Sequence, residues 1–331
     1  MNIREVHLIN RPVGLPNEEC FGIVEVDLPT PEEDQVSVRN LFFSVDPYMR
    51  GRMRDTASYS PPYQLGTVMH GGAVGEVIAS QHADFVVGDL VQSNFGWREA
   101  YTVSASSLVK LPANADTPSH YLGILGMPGL TAYVGTLHIG QIHEEDTFFV
   151  SGAAGAVGSI AGQIAKLKGC RVIGTAGSDD KCSWLTDDLG FDVAINYRDG
   201  DLVQSLSNAA PDGVDVYFDN VGYEHLEAAI TLMNEGGRIA ACGSISGYNE
   251  EAHRPGPSNL SLIVGKRINI RGFIVSDHSD LRSQFLSDMN IWMSEGKVKT
   301  QETVVEGIEN AAGAFRGLFS GINVGKMVVK L

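Results

Sequence analysis

The chain has 331 residues, of which 43% are hydrophobic and 19% charged, and its formal net charge is −16. This composition is typical of a globular protein with room for two domains of ordinary size. The negative charge argues against a general surface for nucleic acids or anionic membranes, so neither is predicted as a partner. The sequence has no apolar run of membrane-spanning length and no recognisable signal peptide at its start, which predicts a cytoplasmic location.

Residues 1 to about 120 are rich in strand patterns. Glu5–Ile9, Phe21–Asp27 and Gln35–Leu41 alternate or are apolar, and turn residues separate them. Gly66–Ala79 combines many glycines with valines, which suggests a strand that bends tightly, as in a small barrel. This part of the chain is therefore predicted to be a barrel-like domain with few helices.

A glycine-rich turn follows a short apolar strand at Phe148–Ser159, which reads FFVSGAAGAVGS. Gly152, Gly155 and Gly158 repeat at every third residue, and apolar residues at helical spacing follow as far as Leu167. Strand, glycine turn and helix in this order predict a dinucleotide site, because the turn admits a pyrophosphate and the helix N-terminus offers free N–H groups. An alanine stands where the commoner fingerprint has its middle glycine.

Strand and helix patterns alternate after this turn. Strands are predicted at Arg171–Thr175, Val193–Ile195, Val214–Phe218, Gly237–Cys242 and Ile268–Phe273, and helices at Ser178–Leu189, Asp201–Ala209, His225–Met233 and Ser279–Ser294. Ser178 is a candidate N-cap of its helix. Repeated βαβ units predict a doubly wound parallel sheet, hence an α/β fold. The chain ends with a strand at Thr303–Glu306, a helix at Ile308–Gly317 and a strand at Lys326–Lys330.

The end of the second strand of this sheet indicates which cofactor the site prefers. NAD-binding folds place an acidic residue there to bind the ribose 2′-hydroxyl. Here the strand ends in Gly174–Ser178 without an acid, and Lys181 follows, which favours NADP over NAD. Asp179 and Asp180 lie next to this tip and argue for NAD, although the first turn of a helix favours acids in any case.

The four cysteines, Cys20, Cys170, Cys182 and Cys242, stand far apart. They form no C-x-x-C pair and no Cys/His cluster with the spacing of zinc ligands. They are interpreted as reduced structural thiols.

Several motifs in order resemble the zinc-independent medium-chain dehydrogenases/reductases, and within them the group of prostaglandin reductases, leukotriene B4 12-hydroxydehydrogenases and curcumin-type and alkenal double-bond reductases. They are SVDPYMRGRM (Ser44–Met53), GMPGLTAY (Gly126–Tyr133), SGAAGAVGS (Ser151–Ser159), FDNVG (Phe218–Gly222) and CGSISGYN (Cys242–Asn249). The resemblance extends over the whole chain. It implies a GroES-like β-barrel catalytic domain, residues 1–121 with 296–331, and a Rossmann NADP-binding domain, residues 122–295, inserted between these two parts.

The resemblance implies a reaction and no metal. The reaction is reduction by NADPH of a carbon–carbon double bond conjugated to a carbonyl, and the partner is a small-molecule enone. Zinc-dependent relatives carry a catalytic cysteine where SVDPYMR stands here, and a Gly-His-Glu where His70 is followed by glycine. His70 is therefore interpreted as a strand or pocket residue, not as a metal ligand. A homodimer is implied by resemblance alone.

The resemblance also assigns cofactor contacts. They fall on Gly155, Ala156, Val157, Gly158, Lys181, Tyr197, Asn220, Cys242, Gly243, Ser244, Ile245, Tyr248, Phe273, Ile274, Val275 and Asn323. Lys181 and Tyr197 would meet the 2′-phosphate. Without the resemblance, Lys181 would be interpreted as a solvated helix lysine.

Two tyrosines are the candidate catalytic residues, and both are assigned by resemblance. Tyr248 in CGSISGYN would stabilise the charge that develops on the enone oxygen, because a phenol donates a hydrogen bond while it stays neutral. Tyr59 would act beside the substrate, or would simply pack on the neighbouring prolines. Asn94 and Phe95 are candidate substrate contacts, although pocket-lining and plain packing look alike in a sequence.

Two other functions remain open from the sequence. The first is an NADPH quinone reductase of the same fold. The second is a non-catalytic NADPH-binding protein, which the fold alone does not exclude. A short-chain dehydrogenase is disfavoured, because the sequence contains no Tyr-x-x-x-Lys.

Overall fold

Two antiparallel-rich sheets form the barrel domain in the computed structural model, which describes residues 1–252 and 254–331. The strands from the N-terminal segment are β1 (Asn2–Leu8), β2 (Phe21–Asp27), β3 (Gln35–Ser44), β4 (Thr67–Val68), β5 (Ala73–Ser80), β6 (Leu90–Ser93), β7 (Ala100–Ser104) and β8 (Val109–Lys110). β1 pairs with β2 and β4 in a small sheet. β3 pairs with β5 and β7 in the larger one.

The bending strand predicted at Gly66–Ala79 is two strands. β4 ends at Val68 and β5 begins at Ala73, with Gly71 and Gly72 between them. A side chain at Gly71 would lie 2.4 Å from the Met49 Cε and would displace that flexible side chain. The two strands belong to different sheets, since β4 pairs with β1 and β5 pairs with β3.

The C-terminal segment completes the larger sheet. β15 (Glu302–Glu306) pairs in parallel with β16 (Lys326–Lys330), and β16 pairs antiparallel with β3. Short helix α1 (Met49–Arg52) and helix α9 (Ala311–Ser320) cover this sheet. Phe43, Trp97 and Phe315 are fully buried among them and form the centre of the domain core.

Six parallel strands form the Rossmann domain. They are β9 (Thr147–Val150), β10 (Arg171–Ala176), β11 (Val193–Asn196), β12 (Val214–Asp219), β13 (Met233–Ala241) and β14 (Asn269–Gly272), in the order β11-β10-β9-β12-β13-β14. The strand order reverses between β9 and β12, and ligands of open α/β sheets bind at such a switch point. All four residues of β9 are buried, including the apolar run Phe148–Val150 that predicts a buried strand.

Helices cover both faces of the parallel sheet. They are α2 (Met127–Tyr133), α3 (Gly158–Leu167), α4 (Asp179–Ser183), α5 (Leu202–Ala209), α6 (Tyr223–Leu232), α7 (Ser261–Lys266) and α8 (Arg282–Ser294). The predicted α/β fold with a barrel and a doubly wound sheet is thereby confirmed.

The helix predicted at Ser178–Leu189 is present as α4 followed directly by a π-helical stretch, Trp184–Asp188. The predicted cap of this helix is not found. Ser178 stands at the N-cap position but makes no capping hydrogen bond with its side chain. Asp201, in contrast, accepts a hydrogen bond from the Gln204 backbone N–H at 3.1 Å and caps α5.

The glycine-rich turn joins the two domains through their backbones. The Gly325 N–H, just before β16, donates to the Ala154 carbonyl at 2.8 Å. Because β16 belongs to the barrel sheet, the start of this strand is fixed against the turn that opens α3. We keep the division into residues 1–121 with 296–331 and residues 122–295 as a proposal. No helix in the described part of the chain is both long and apolar enough to cross a membrane.

Candidate active site

A cleft of about 1780 Å³ separates the barrel domain from the Rossmann domain. One wall is formed where the six parallel strands end, by residues such as Gly152, Gly177, Tyr197, Asn220 and Cys242. The facing wall comes from the barrel domain. The cleft therefore lies at the carboxyl edge of the sheet and includes its switch point, where the fold favours a nucleotide.

The glycine turn shapes one part of this wall. A side chain at Gly158 would lie 2.5 Å from the Gly152 carbonyl oxygen, so glycine is required where α3 approaches the turn. The Gly155 N–H donates to the Gly152 carbonyl at 3.0 Å, whereas the N–H groups of Ala156, Val157 and Gly158 have no backbone acceptor in residues 1–252 and 254–331. These free donors lie at the N-terminus of α3, where the helix dipole favours an anion.

A pair of cations borders the far end of the cleft. Lys181 and Arg198 both line it, together with the Tyr197 hydroxyl. A side chain at Gly177 would lie 3.0 Å from the Tyr197 hydroxyl and 3.4 Å from Arg198 Nε, so these two groups face the tip of β10. Lys181 Nζ donates to the Gly321 carbonyl at 2.7 Å. Burial and the Arg198 charge lower the pKa of Lys181.

The acidic residues at this tip are engaged elsewhere. Asp179 accepts a hydrogen bond from the Asn196 side-chain amide at 2.9 Å, and Asp179 and Asp180 both form the first turn of α4. Neither lines the cleft. The argument that these acids favour NAD therefore loses its geometric basis.

A buried polar network fixes the chain where β12 ends. Asp219, 3% exposed, accepts hydrogen bonds from the Tyr217 hydroxyl at 2.7 Å and from the Gly222 N–H at 2.7 Å. Ser151, at the end of β9, accepts the Asn220 N–H at 3.0 Å, and the Asn220 side-chain amide donates to the Ser151 carbonyl at 2.8 Å. The two strands at the switch point are thus joined by side chains, and Asn220 is held at the cleft wall.

Tyr248 lies half-buried in a loop beyond β13. Its hydroxyl accepts a hydrogen bond from the Ser244 N–H at 3.3 Å, and no acceptor for its own proton is found in the described residues. Burial raises the pKa of this phenol, which keeps it protonated. A neutral phenol with a free O–H beside the cleft can donate a hydrogen bond to a carbonyl oxygen.

Two arginines of the barrel domain hold the loop that carries Tyr248. Arg50, in α1, is 2% exposed, and its Nε donates to the Asn249 side chain at 3.0 Å. Arg54, just after α1, donates to the carbonyl of Tyr248 at 2.9 Å and to that of Glu250 at 3.3 Å. Burial and the Arg54 charge lower the pKa of Arg50 to about 10, so it stays charged at neutral pH. The position of Tyr248 therefore depends on both domains.

The barrel wall carries Tyr59, Tyr48 and Arg52. Tyr59 is 63% exposed, yet it lines the cleft and lies near Tyr248 and Cys242. The Arg52 guanidinium lies 4.1 Å above the Tyr63 ring and donates to the Pro61 carbonyl at 2.9 Å, which fixes it in this wall. Burial raises the pKa of Cys242 to about 12, so its thiol stays protonated.

A buried ion pair forms part of the cleft floor. Lys326, 3% exposed, donates to Asp46 at 2.9 Å and to the Val45 carbonyl at 3.0 Å. The Ser44 hydroxyl donates to the other carboxylate oxygen of Asp46. Every donor of this carboxylate is a side chain, and the pair joins β16 to the segment after β3.

The predicted site residues meet in this one cleft, with one exception. Those that line it are Tyr59, Asn94, Phe95, Gly155, Ala156, Val157, Gly158, Lys181, Tyr197, Asn220, Cys242, Gly243, Ile245, Tyr248, Phe273, Ile274, Val275 and Asn323. Ser244 does not line it, since it faces a smaller cavity behind Tyr248. The roles assigned to all of these residues remain predictions.

Three lining or supporting residues escaped the sequence analysis. Arg198 follows Tyr197 directly after β11, so the rule that strand ends carry ligand contacts would have found it. Tyr48 lies inside SVDPYMRGRM and could have been found in that motif. Arg54 has no local signal, because its role depends on a contact with residues almost two hundred positions away.

The described residues contain no group of three or more His, Cys, Asp or Glu side chains arranged to hold a metal ion. His70, the histidine considered above, lies in the cleft wall, where its ring nitrogen Nδ1 lies 3.3 Å from Arg98.

Known proteins are similar to this chain over nearly its whole length. A family described as the N-terminal domain of oxidoreductase matches residues 4–111, and a family described as zinc-binding dehydrogenase matches residues 156–290. An NADPH-dependent curcumin reductase of Escherichia coli is 44% identical, covering 98% of this chain and 95% of its own. A 2-alkenal reductase (NADP(+)-dependent) of Nicotiana tabacum is 42% identical, covering 98% and 96%.

A solved structure has the same architecture. The crystal structure of CurA in complex with NADPH from Vibrio vulnificus is 44% identical, with a TM-score of 0.95, and the match covers 99% of this chain and 98% of that one.

Proposed function

The chain belongs to the medium-chain dehydrogenase/reductase family, among the NADP-dependent oxidoreductases, and on this premise we propose that it reduces the C=C bond of α,β-unsaturated aldehydes and ketones with NADPH. The single observation that carries the proposal is the half-buried Tyr248 hydroxyl in the cleft, whose one hydrogen-bond partner in the described chain is a donor. Its proton is therefore available to a substrate oxygen. The relatives named curcumin reductase and 2-alkenal reductase support the same substrate class.

The cleft fits a phosphorylated nicotinamide dinucleotide. Three free N–H groups at the N-terminus of α3 suit a pyrophosphate, and the Lys181–Arg198 cations suit a 2′-phosphate. The residues that would hold it are Gly155–Gly158 at the pyrophosphate, Lys181, Tyr197 and Arg198 at the 2′-phosphate, and Asn220, Cys242, Gly243, Ile245, Phe273–Val275 and Asn323 at the remainder. When bound, this cofactor supplies the hydride that the β-carbon of the enone receives.

The protein's own groups would stabilise the developing negative charge. As the β-carbon gains a hydride, charge accumulates on the carbonyl oxygen, and Tyr248 would donate its hydrogen bond to that oxygen. Its raised pKa keeps the phenol a donor over the neutral range. Arg54 would hold the Tyr248 carbonyl, and so the ring, in place. Tyr59 would line the substrate on the opposite wall.

Purified protein tested with NADPH and 2-nonenal gives a direct measurement. We expect cofactor oxidation and nonanal as product, and deuterium from labelled NADPH at the β-carbon. Nonanal as substrate is the matched control, since it lacks the double bond. No turnover of any enone, or reduction of the aldehyde to an alcohol, would contradict the proposal. Turnover of quinones alone would support a quinone reductase instead.

Tyr248→Phe tests the assigned role. Removing one such donor costs about 100-fold to 1000-fold in kcat in other enzymes, and we expect a loss in that range here. The KM for NADPH should change little, because the ring itself remains. An unchanged kcat would show that Tyr248 has no part in the chemistry, as expected for a non-catalytic NADPH-binding protein.

We also propose a homodimer and a cytoplasmic location. β14 is an edge strand of the parallel sheet, and its four residues are exposed. Val264 and Leu260 beside it are 81% and 50% exposed. An unpaired edge next to exposed apolar side chains favours pairing with a second copy, which sedimentation at several protein concentrations would detect. The four free cysteines fit a reducing compartment.

A further inference from the structure

His70 occupies a fixed position in the barrel wall of the cleft. The Tyr63 hydroxyl donates to its backbone carbonyl at 2.6 Å, and its ring meets the Phe95 ring edge to face at 6.1 Å. Its backbone and ring are thus both held by neighbours, although it lines the cleft. Phe95 is also one of the predicted substrate contacts.

The Arg98 guanidinium determines which ring nitrogen carries the proton. Arg98 Nη2 lies 3.3 Å from His70 Nδ1, and a guanidinium can only donate. Nδ1 must then be the unprotonated acceptor. Arg98 itself is 8% exposed and has its charge balanced by Glu5, 3.5 Å away, so it has little freedom to turn from His70.

The ring is neutral at physiological pH. Burial lowers the pKa of His70, and the charges of Arg98 and Arg52 lower it further, while Glu5 opposes them. A neutral imidazole whose Nδ1 accepts a hydrogen bond carries its proton on Nε2. In residues 1–252 and 254–331, Nε2 has no hydrogen-bond partner. It is also not one of the buried unpaired polar atoms, so it is accessible to solvent.

His70 and Tyr248 belong to different walls of the cleft and have no hydrogen-bond partner in common in the described part of the chain. His70 lies in the barrel wall, where Tyr63, Phe95 and Arg98 hold it. Tyr248 lies in the loop beyond β13, where its contacts are with Ser244 and Arg54. The two donors can therefore each meet an oxygen of their own on a substrate that fills the cleft.

We propose that His70 is a specificity-determining residue, whose Nε2–H donates a hydrogen bond to a second, neutral oxygen of the enone substrate. The inference rests on the proposed function and names its substrate class: enones that carry a hydroxyl, ether or further carbonyl oxygen away from the reacting centre. Because the donor is uncharged, it favours such oxygens without selecting for a carboxylate. Purely hydrocarbon enones would leave this donor to water.

The substrate test compares 4-phenyl-3-buten-2-one with its 3-hydroxyphenyl and 4-hydroxyphenyl counterparts. In His70→Phe we expect kcat/KM to fall about threefold to tenfold for the better hydroxylated ketone, the effect of one neutral hydrogen bond. The unsubstituted ketone should change by less than about twofold by the same reasoning. His70→Gln is the matched control, since its amide can accept from Arg98 and still donate, and it should restore the preference.

Equal losses on all three ketones in His70→Phe, or a His70→Gln variant no better than His70→Phe, would overturn the proposal. A second measurement is independent of turnover. The ¹⁵N spectrum of the free protein at pH 7 should show His70 protonated at Nε2, and protonation at Nδ1 would refute the assignment. If the wild type reduced no enone, the proposed function and the substrate class would both fall, while the spectrum would still decide the hydrogen-bonding state.

Discussion

Replacing Lys181 by alanine should weaken the preference for NADPH over NADH. Tyr197 and Arg198 face the tip of β10, Lys181 lines the cleft with them, and the nearby acids do not line it. The two cofactors differ only in the 2′-phosphate, so a residue that contacts this group affects one and not the other. The KM ratio of the two cofactors therefore measures the contact.

The size of the effect follows from the environment of the ammonium group. A hydrogen bond to a charged group contributes about 1.5–3 kcal/mol, and Lys181 is only half-buried, so the lower end applies. About 1.5 kcal/mol corresponds to roughly a tenfold rise in the KM for NADPH. Lys181 Nζ already donates to the Gly321 carbonyl, but an ammonium group has three donors and can keep this bond.

The assay is initial-rate kinetics with both cofactors at a saturating enone concentration. Lys181→Met is the matched control for the loss of the apolar stem, and it should behave like Lys181→Ala. Arg198→Ala should raise the KM for NADPH similarly. The double variant should show less than the product of the two single effects, because both cations would act on one phosphate.

Equal rises in KM for NADPH and NADH would refute this reasoning. Such a result would mean that Lys181 supports the fold through Gly321 and does not read the 2′-phosphate. A rise in the KM for NADPH in Arg198→Ala but not in Lys181→Ala would mean that Arg198, which the sequence analysis missed, recognises the 2′-phosphate.

Three further predictions concern the structure around the cleft. Arg54→Ala should lower kcat about threefold to tenfold through loss of the hydrogen bond to the Tyr248 carbonyl, and Arg54→Lys should lower kcat by less. The melting temperature of Arg54→Ala should hardly change, because Arg54 is exposed. Burial lowers the pKa of His225 to about 4, so the unfolded chain binds an extra proton between about pH 6.5 and 4. The free energy of unfolding in urea should therefore fall by about 3 kcal/mol on acidification through that window. A His225→Gln variant that keeps the same dependence on pH would contradict this. Lys326→Met should cost about 3–5 kcal/mol in urea unfolding by stranding the buried Asp46 carboxylate, and adding Asp46→Asn should recover most of that loss.

The sequence predicted the parallel sheet well, because its signals are local. The apolar residues Phe148–Val150 of β9 are all buried, and the glycine spacing of Gly152–Gly158 predicts the turn that admits α3. The tip of β10 is likewise set by a few neighbouring residues. Ser178 fails as a cap for a different reason: its position is correct, but no rule of spacing determines where its hydroxyl points.

The two walls of the cleft were predicted unequally. Strand ends of a parallel sheet meet at one edge, so residues such as Asn220 and Cys242 could be assigned to the site from their positions alone. The barrel wall follows no such rule, since its antiparallel strands bring distant segments together in an order that composition does not encode. His70 shows the consequence: its neighbour Arg98 determines its tautomer, and that pairing becomes visible only when β-strand packing is known.

The loop that carries Tyr248 belongs to one domain and is held by the other. Arg50 and Arg54 come from the segment around α1, yet their hydrogen bonds end on Asn249 and on the Tyr248 carbonyl. If the domains moved apart, these contacts would break and Tyr248 would lose its support. The Tyr248 phenol is therefore held in position only while the two domains form the cleft. Neither arginine lines the cleft, so each would support the chemistry through this loop, and the residues around them in the sequence do not reveal that role.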